Sequence, residues 1–356
     1  MIIKSSTKDY RVQIEDSFSF MEPLLQTDNT LFVVDKKLYG LYEKELFCKI
    51  PEDKLYLIEA LEENKTIETA LGVCEKMTEI PGKRNARLVS FGGGIIQDIT
   101  GFAANILYRG IHWTFVPTTL LAACDSCIGG KTSLNYKSFK NLLGTFFPPE
   151  EIHICPKFFF TLSQKDFESG LGEVVKFNIM SGEAGLERIE AQMGALLERK
   201  PEVVEEFLRT SLAFKKDFIE EDEFDRGVRI HLNFAHTFGH AFETMSKYEI
   251  PHGTAVAMGM IVADRVSLHR ECMEKSICSR AEQLLKKIIH VNLNGINWDM
   301  DEVIKAIRKD KKQIDDALTC VLLEDDMKLK VVHDLKREEV EEAVGEMLKL
   351  LRAESV

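Results

Sequence analysis

Apolar residues in the first half of the chain fall in short runs separated by polar or glycine-containing breaks. Leu31-Phe-Val-Val34 closes on Asp35, and Leu55 to Ile58 forms a second run. Runs this short, bounded by polar residues, predict buried strands. Between Glu62 and Met77 the period changes. Ile67, Ala70, Leu71 and Cys74 recur at helical spacing, and Pro81-Gly82 breaks the pattern. Leu88-Val-Ser-Phe91 and His112 to Val116 return to the strand pattern. Strands alternating with helices predict an α/β layer. From about residue 164 the runs give way to Glu- and Lys-rich helical patterns at 183–220, 261–290, 299–312 and 337–352. The expected organisation is an α/β domain over 1–163 and a mostly α-helical domain over 164–356. The acidic patches at 220–225 and 338–342 read as solvated helix faces.

Length agrees with two domains, since 356 residues exceed what one hydrophobic core usually serves. A net charge of −12 argues against nucleic acid as a general partner, while leaving a small anionic substrate open wherever basic residues cluster. The first residues lack the apolar core of a secretory leader. No run of about 18 apolar residues is available to span a bilayer. The expectation is a cytoplasmic protein without a membrane partner. Its eight scattered cysteines are then reduced thiols. Cys124-x-x-Cys127 lies in an apolar segment without a second such pair, so both read as core residues.

Candidate chemistry gathers at the ends of the predicted strands. Gly92-Gly-Gly94 follows the strand at 88–91, where glycines at a strand-to-helix turn let backbone amides approach a phosphate. A plain tight turn would use the same residues, and the spacing is not that of the usual dinucleotide fingerprint. Thr118 and Thr119 follow the strand at 112–116 and offer hydroxyls at its carboxyl end. Gly129-Gly-Lys-Thr132 resembles the end of a P-loop, but the first glycine that motif requires is Asp125, so the match fails. Lys131, Lys140 and Asn141 still form a candidate oxyanion cluster.

In the second half, His236 and His240 stand one turn apart on an expected helix spanning 231–240, and His252 follows a loop. Imidazoles plus one carboxylate make a metal centre with an open position for substrate. Satisfied histidines on a buried polar helix are the alternative. Glu173 and Lys176 lie three apart among glycine and apolar residues. A buried carboxylate there needs a cation, which makes Glu173 the third candidate ligand.

Taken in order, Glu62-x-x-Lys65, Gly92-Gly-Gly-x-x-x-Asp98, Tyr108-Arg-Gly110, Val116-Pro-Thr-Thr-Leu-Leu121, Asp125 to Lys131, Lys140-Asn141, Glu173-x-x-Lys176, Arg229 to His240, His252-Gly253 and Asp310-Lys-Lys312 resemble the 3-dehydroquinate synthase family of sugar phosphate cyclases. Blocks in this order are more specific than any one of them. The resemblance implies that Asp35, Glu62, Lys65, Gly93, Gly94, Asp98, Thr118, Thr119, Asp125 and Lys140 form the NAD site. It implies zinc or cobalt on Glu173, His236 and His252. Lys131, Asn141, Lys176, Asn233, His240 and one of Lys311 and Lys312 would face the substrate phosphate and reacting groups. Lys215 and Arg229 would hold a substrate carboxylate, and Arg109 would be donated across a homodimer interface.

The implied reaction is phosphate-eliminating lyase chemistry on 3-deoxy-D-arabino-heptulosonate 7-phosphate in the shikimate pathway. NAD is reduced and then restored, phosphate leaves, and an aldol step closes the ring of 3-dehydroquinate. Lys215 and Arg229 favour this substrate over sedoheptulose 7-phosphate or glucose 6-phosphate, which lack a carboxylate. A metal-dependent polyol or glycerol-phosphate dehydrogenase is a further alternative. The sequence departs from the family pattern at Gln97, Phe139 and Asp225, positions that bear on the substrate rather than on the reaction class.

Overall fold

The apolar runs of the first half become the strands of a largely parallel sheet in the computed structural model, which describes residues 1–137, 139–308 and 318–352. Contacts group into two units, Met1–Leu162 and Ser163–Val356.

The first unit contains β1 (Ile2–Ile3), β2 (Tyr10–Ile14), β3 (Thr30–Asp35), β4 (Leu55–Ile58), β5 (Arg87–Gly92), β6 (His112–Pro117), β7 (Lys131–Tyr136), β8 (Phe139–Phe146) and β9 (Glu151–Ile154). Seven of them form a sheet in the order β1-β2-β9-β6-β5-β3-β4, and β7 and β8 pair as a separate antiparallel hairpin. Every pairing in the large sheet is parallel except β1 with β2. The central strands β3 and β5 are almost wholly buried, as continuous apolar runs in a covered parallel sheet should be. Helices α1 (Met21–Leu25), α2 (Lys36–Tyr42), α3 (Ile67–Thr78) and α4 (Gly94–Ile106) connect the strands. Thr66 caps α3 by accepting from the Thr69 amide. Its buried stripe is Ala70, Val73 and Met77. Leu71, expected on that face, is 51% exposed, because the stripe advances by three and then four residues from Ala70. From β3 the chain moves outward to β4 and then returns to β5 on the other side of β3. Such a reversal opens a crevice at the carboxyl ends of the strands, the usual ligand position in open α/β sheets.

The second unit is built from α5 (Gln164–Met180), α6 (Glu183–Leu197), α7 (Pro201–Glu221), α8 (His236–Met245), α9 (His252–His269), α10 (Lys275–Lys286), α11 (Met300–Arg308) and α12 (Arg337–Arg352), with β10 (Leu318–Leu323) and β11 (Leu329–Leu335). Helices α5 and α9 are buried along most of their length and pack on each other. Glycine makes this crossing close. A Cβ on Gly253 would overlap the Ser169 carbonyl, and one on Gly172 would overlap the Gly253 carbonyl. A Cβ on Gly259 would overlap the Ala235 carbonyl just before α8.

Three expectations need correction here. The periodic stretch 183–220 is two helices, broken where Arg199 takes φ 57° and Pro201 restarts the chain. The stretch 261–290 likewise divides between α9 and α10, with Glu271 between them in the left-handed region at φ 55°. The antiparallel β10–β11 hairpin was not expected in the helical half; its first strand, Leu-Thr-Cys-Val-Leu-Leu, is buried throughout and so lacks the alternation that marks a half-exposed strand. Among the described residues, no helix is long and apolar enough to cross a membrane.

Two stability predictions follow from this packing. Gly253→Ala should lower unfolding stability by about 1–3 kcal/mol through overpacking. Gly194→Ala, at a helical site with open space around the new methyl, should be neutral or stabilising by up to about 1 kcal/mol in the same denaturant titration. The second concerns Asp264 on α9, which is fully buried, with neither carboxylate oxygen hydrogen-bonded among the described residues. Burial, and then the Glu282 carboxylate, push its pKa well above the ordinary value. The folded protein thus keeps a proton that the unfolded chain releases above about pH 4, so this group costs stability increasingly as pH rises from there. Asp264→Asn should match the wild type near pH 4 and exceed it by a growing margin toward pH 8. A pH-independent difference would show that Asp264 does not titrate this way.

Candidate active site

The phosphate-cradle candidates of the first unit lie at the carboxyl ends of its parallel strands. Asp35 ends β3 and caps α2, accepting from the Lys37 amide at 3.0 Å. Gly93 is the N-cap of α4 and brings no side chain to its first amides, which leaves them open to an anion. A Cβ on Gly93 would meet Thr119 at 3.1 Å, and one on Gly94 would meet Ser126 Oγ at 3.7 Å, so these two side chains flank the glycine turn. Thr118 is buried, and its amide donates to the Gly92 carbonyl.

Gln97, a departure from the family pattern, is buried and locked to one partner. Its Nε2 donates to the Ser126 carbonyl, and its Oε1 accepts from Ser126 Oγ, both at 2.7 Å. Ser126 ends a π-helical turn, Ala122–Ser126, that also contains Asp125. Gln97 therefore ties the first turn of α4 to the segment leading to Gly129, Gly130 and Lys131. Cys124 and Cys127 are buried in and beside that turn and are not in a disulfide.

The remaining candidates of this unit converge on one face of β7. Lys65 Nζ lies 2.5 Å from Asp98 Oδ2 and donates to Asn141 Oδ1 at 2.6 Å. Ser133 donates its amide and its hydroxyl to Asp98, each at 3.0 Å, and its hydroxyl also lies 2.9 Å from Asn141 Oδ1. Asn135 donates to Glu62 Oε1 at 2.8 Å and accepts from the Asn141 amide at 2.9 Å. Lys140 Nζ stands 3.4 Å from the same Glu62 oxygen. Burial raises the Asp98 pKa above the ordinary carboxylate range, opposed by Lys65 and by the Ser133 hydrogen bonds. Ser133 and Asn135 are organising residues that motif reading missed. The polar positions 131, 133 and 135 alternate with buried Thr132 and Leu134, a period-two signal that could have shown them. Lys131 and Arg109 are exposed, and Arg109 sits beyond α4 at φ 67°.

In the second unit the glycine contacts set the metal-ligand candidates side by side. Glu173 follows Gly172 on α5, His252 precedes Gly253 at the start of α9, and His236 follows Ala235 at the start of α8. The Nε2 atoms of His252 and His236 lie 3.4 and 3.6 Å from Glu173 Oε1. Ligands about 2.0–2.2 Å from a tetrahedral ion stand roughly 3.3–3.6 Å apart, so the spacing fits zinc. Glu173 is fully buried, and neither of its oxygens has a partner in hydrogen-bond geometry among the described residues; Lys176 Nζ lies 2.5 Å from Oε2 as an ion pair. Lys176 also donates to the Leu232 carbonyl at 3.1 Å. His236 Nδ1 is 3.0 Å from the Phe234 carbonyl and His252 Nδ1 is 3.1 Å from Glu243 Oε2. With both Nδ1 atoms engaged, both Nε2 atoms are directed at the one carboxylate, as coordination by the three groups requires. Burial works against a charged His252, but Glu243 and Glu173 outweigh it and lift its pKa to about 10.

The expected helix over 231–240 is corrected. Val228–Asn233 is a separate 3-10 turn, and α8 begins only at His236, because Ala235 adopts φ 69° in the left-handed region where α9 approaches at Gly259. Arg229 and Asn233 therefore do not continue the face of His236 and His240. Arg229 is buried and donates to the Glu223 carbonyl at 2.6 Å. Lys215 is buried on α7, which packs against the same 3-10 turn. The acidic patch at 220–225 is also not a helix face: α7 ends at Glu221, and the Asp222 carboxylate accepts from the amides of Arg226, Gly227 and Arg229 at 2.9, 2.7 and 3.1 Å. Although burial opposes it, these bonds lower the Asp222 pKa and hold the turn that carries Arg229. His240 packs its ring against His236 and His252, with centroids 5.4 and 5.9 Å away. Lys311 and Lys312 lie outside the described residues.

Comparison with known proteins decides the family. Profiles described as 3-dehydroquinate synthase N-terminal and 3-dehydroquinate synthase C-terminal match residues 55–169 and 170–313. The chain belongs to the 3-dehydroquinate synthase family. A 3-dehydroquinate synthase of Clostridium tetani is 36% identical over 348 residues, covering 95% of this chain and 92% of that protein. The Dictyoglomus thermophilum 3-dehydroquinate synthase is 31% identical, with 96% and 92% covered. Among solved structures, the 2-epi-5-epi-valiolone synthase ValA of Streptomyces hygroscopicus subsp. jinggangensis, with NAD+ and Zn2+ bound, superposes with a TM-score of 0.84 at 25% identity, covering 96% and 97% of the two chains. A 2-deoxy-scyllo-inosose synthase holding carbaglucose-6-phosphate, NAD+ and Co2+ shares the fold with a TM-score of 0.81 at 22% identity, covering 97% and 99%.

If His252 ligates a divalent ion in this member of the 3-dehydroquinate synthase family, its raised pKa requires the ion to displace a proton there. Zinc or cobalt affinity should therefore rise with pH, by about tenfold per unit between pH 6 and 9 for one displaced proton. Competition against a chelator of known affinity would check this, and a flat profile would show that His252 is not a ligand.

Proposed function

We propose that this protein converts 3-deoxy-D-arabino-heptulosonate 7-phosphate to 3-dehydroquinate and phosphate. The observation that carries the reading is the buried carboxylate of Glu173 meeting two imidazole Nε2 atoms, in a unit that also buries the cations Lys215 and Arg229. Lys215 and Arg229 place two positive charges in that unit, and an anionic substrate group is their chemical complement. The chosen substrate brings the carboxylate they fit.

Each residue has a stated task. Glu173, His236 and His252 would hold a divalent ion, zinc or cobalt, and Lys176 orients the Glu173 carboxylate. The amides after Gly93 and Gly94 take the pyrophosphate of NAD, with Asp35, Glu62, Lys65, Asp98, Thr118, Thr119, Asp125 and Lys140 around it. When bound, NAD supplies a hydride acceptor that is restored by the end of the cycle, and the ion supplies a Lewis acid for the substrate's oxygens. Lys215 and Arg229 anchor the carboxylate, Asn233 and His240 bind hydroxyls and phosphate oxygens, and Lys131 and Asn141 add to the phosphate site. Arg109 is offered to a second copy in a homodimer. The substrate's own phosphate oxygen removes the proton lost in the elimination, so the chain's contribution is positioning and charge stabilisation.

A phosphate-release assay with metal and catalytic NAD tests the proposal. Release should occur with the heptulosonate and not with sedoheptulose 7-phosphate or glucose 6-phosphate, with no net NADH. Turnover of sedoheptulose 7-phosphate alone would sink it, as would steady NADH accumulation from a simple polyol. Arg229→Ala should cost roughly 2–5 kcal/mol of transition-state stabilisation, read from kcat/KM, since it leaves a substrate charge unpaired.

A further inference from the structure

Glu243 has a place in the metal centre that the motif residues do not reveal. Positions 236, 240 and 243 share one face of α8, four and then three residues apart. Helix α8 packs on α9, and this brings the Glu243 carboxylate to the first residue of α9. There Glu243 Oε2 lies 3.1 Å from His252 Nδ1, while His252 Nε2 faces Glu173 Oε1 at 3.4 Å. The carboxylate is largely shielded, with 14% of its side chain exposed, so water screens the contact little.

The two imidazoles of the centre are thus held by unlike partners. His236 Nδ1 meets a neutral carbonyl, that of Phe234, at 3.0 Å. His252 Nδ1 meets an anion. A hydrogen bond to a carboxylate is stronger than one to a carbonyl, fixes the ring plane, and draws the Nδ1 proton so that Nε2 becomes the better donor to a metal.

We infer that Glu243 is a positioning residue of the metal centre, accepting the His252 Nδ1–H and so fixing His252 Nε2 as the ligand. The inference rests on the metal centre proposed above. A competing role follows from the same geometry. Ligand atoms of His240, Glu243 and His252 lie within 4.8 Å of one another, a set that could itself bind an ion with Glu243 as a direct ligand. The hydrogen bond favours positioning, because it already joins Glu243 Oε2 to His252 Nδ1 at 3.1 Å.

The test is a cobalt titration of the full chain, followed by visible absorption and by chelator competition, with wild type, Glu243→Gln and Glu243→Ala. Glutamine keeps an acceptor for Nδ1–H but removes the charge, and alanine removes both. Cobalt affinity should fall about tenfold for glutamine and approach a hundredfold for alanine. At saturation the band shape and a stoichiometry of one ion should be unchanged in both. Affinities within twofold of wild type would overturn the inference. So would a changed band shape in Glu243→Gln, or two ions in wild type falling to one, since either makes Glu243 a ligand. Should wild type itself take up no cobalt, the proposed metal centre fails before Glu243 is in question. Should the alanine variant not fold, judged by far-UV circular dichroism, the isosteric glutamine variant carries the comparison.

Discussion

The candidate metal centre depends on helix backbones coming closer than side chains normally permit. Gly172 and Gly253 let α5 and α9 touch main chain to main chain, and Gly259 admits the carbonyl of Ala235 at the root of α8. Each candidate ligand is a sequence neighbour of one of these contacts: Glu173 of Gly172, His252 of Gly253, His236 of Ala235. Ligand positions are therefore set by close main-chain contacts between helices. Ala235 carries the strain, holding a left-handed conformation that costs a non-glycine residue about 1 kcal/mol or more and that only dense surroundings can sustain.

Electrostatics are handled alike in the two units. A buried acid is given one close cation and, in the first unit, added hydrogen bonds: Lys176 for Glu173, and Lys65 with Ser133 for Asp98. Such pairs add little net stability, because desolvation offsets their attraction. Their value lies in holding a carboxylate in one orientation. Asp264 is the contrast, a buried carboxyl without such a partner among the described residues, and it is held in the neutral form.

Much of this was legible in the sequence, for physical reasons that differ by element. Strands such as β3 and β5 announce themselves because a covered parallel sheet demands unbroken apolar runs. Glu173 could be chosen because a carboxylate amid glycine and apolar residues needs a cation or a metal. Boundaries set by tertiary contact were not legible. The break at Ala235 is imposed by α9, and the buried strand β10 looks like a helix segment until its partner is known. Glu243, Ser133 and Asn135 escaped because their roles lie in what they hold rather than in what they would bind, and a motif search looks for the latter. The π-helical turn around Asp125 gave no local sign either.

The alternation along β7 carries a consequence for how this family member can vary. Of its odd positions, Ser133 and Asn135 carry the polar network and Lys131 is exposed, while its even positions, Thr132 and Leu134, fill the core. Insertion or loss of a single residue between 131 and 135 would exchange those faces, placing Leu134 in the polar network and burying Ser133 or Asn135 without partners. The hairpin can therefore change length only at its turn, and reading frame within β7 is itself a functional constraint, as binding as the identity of any residue in it.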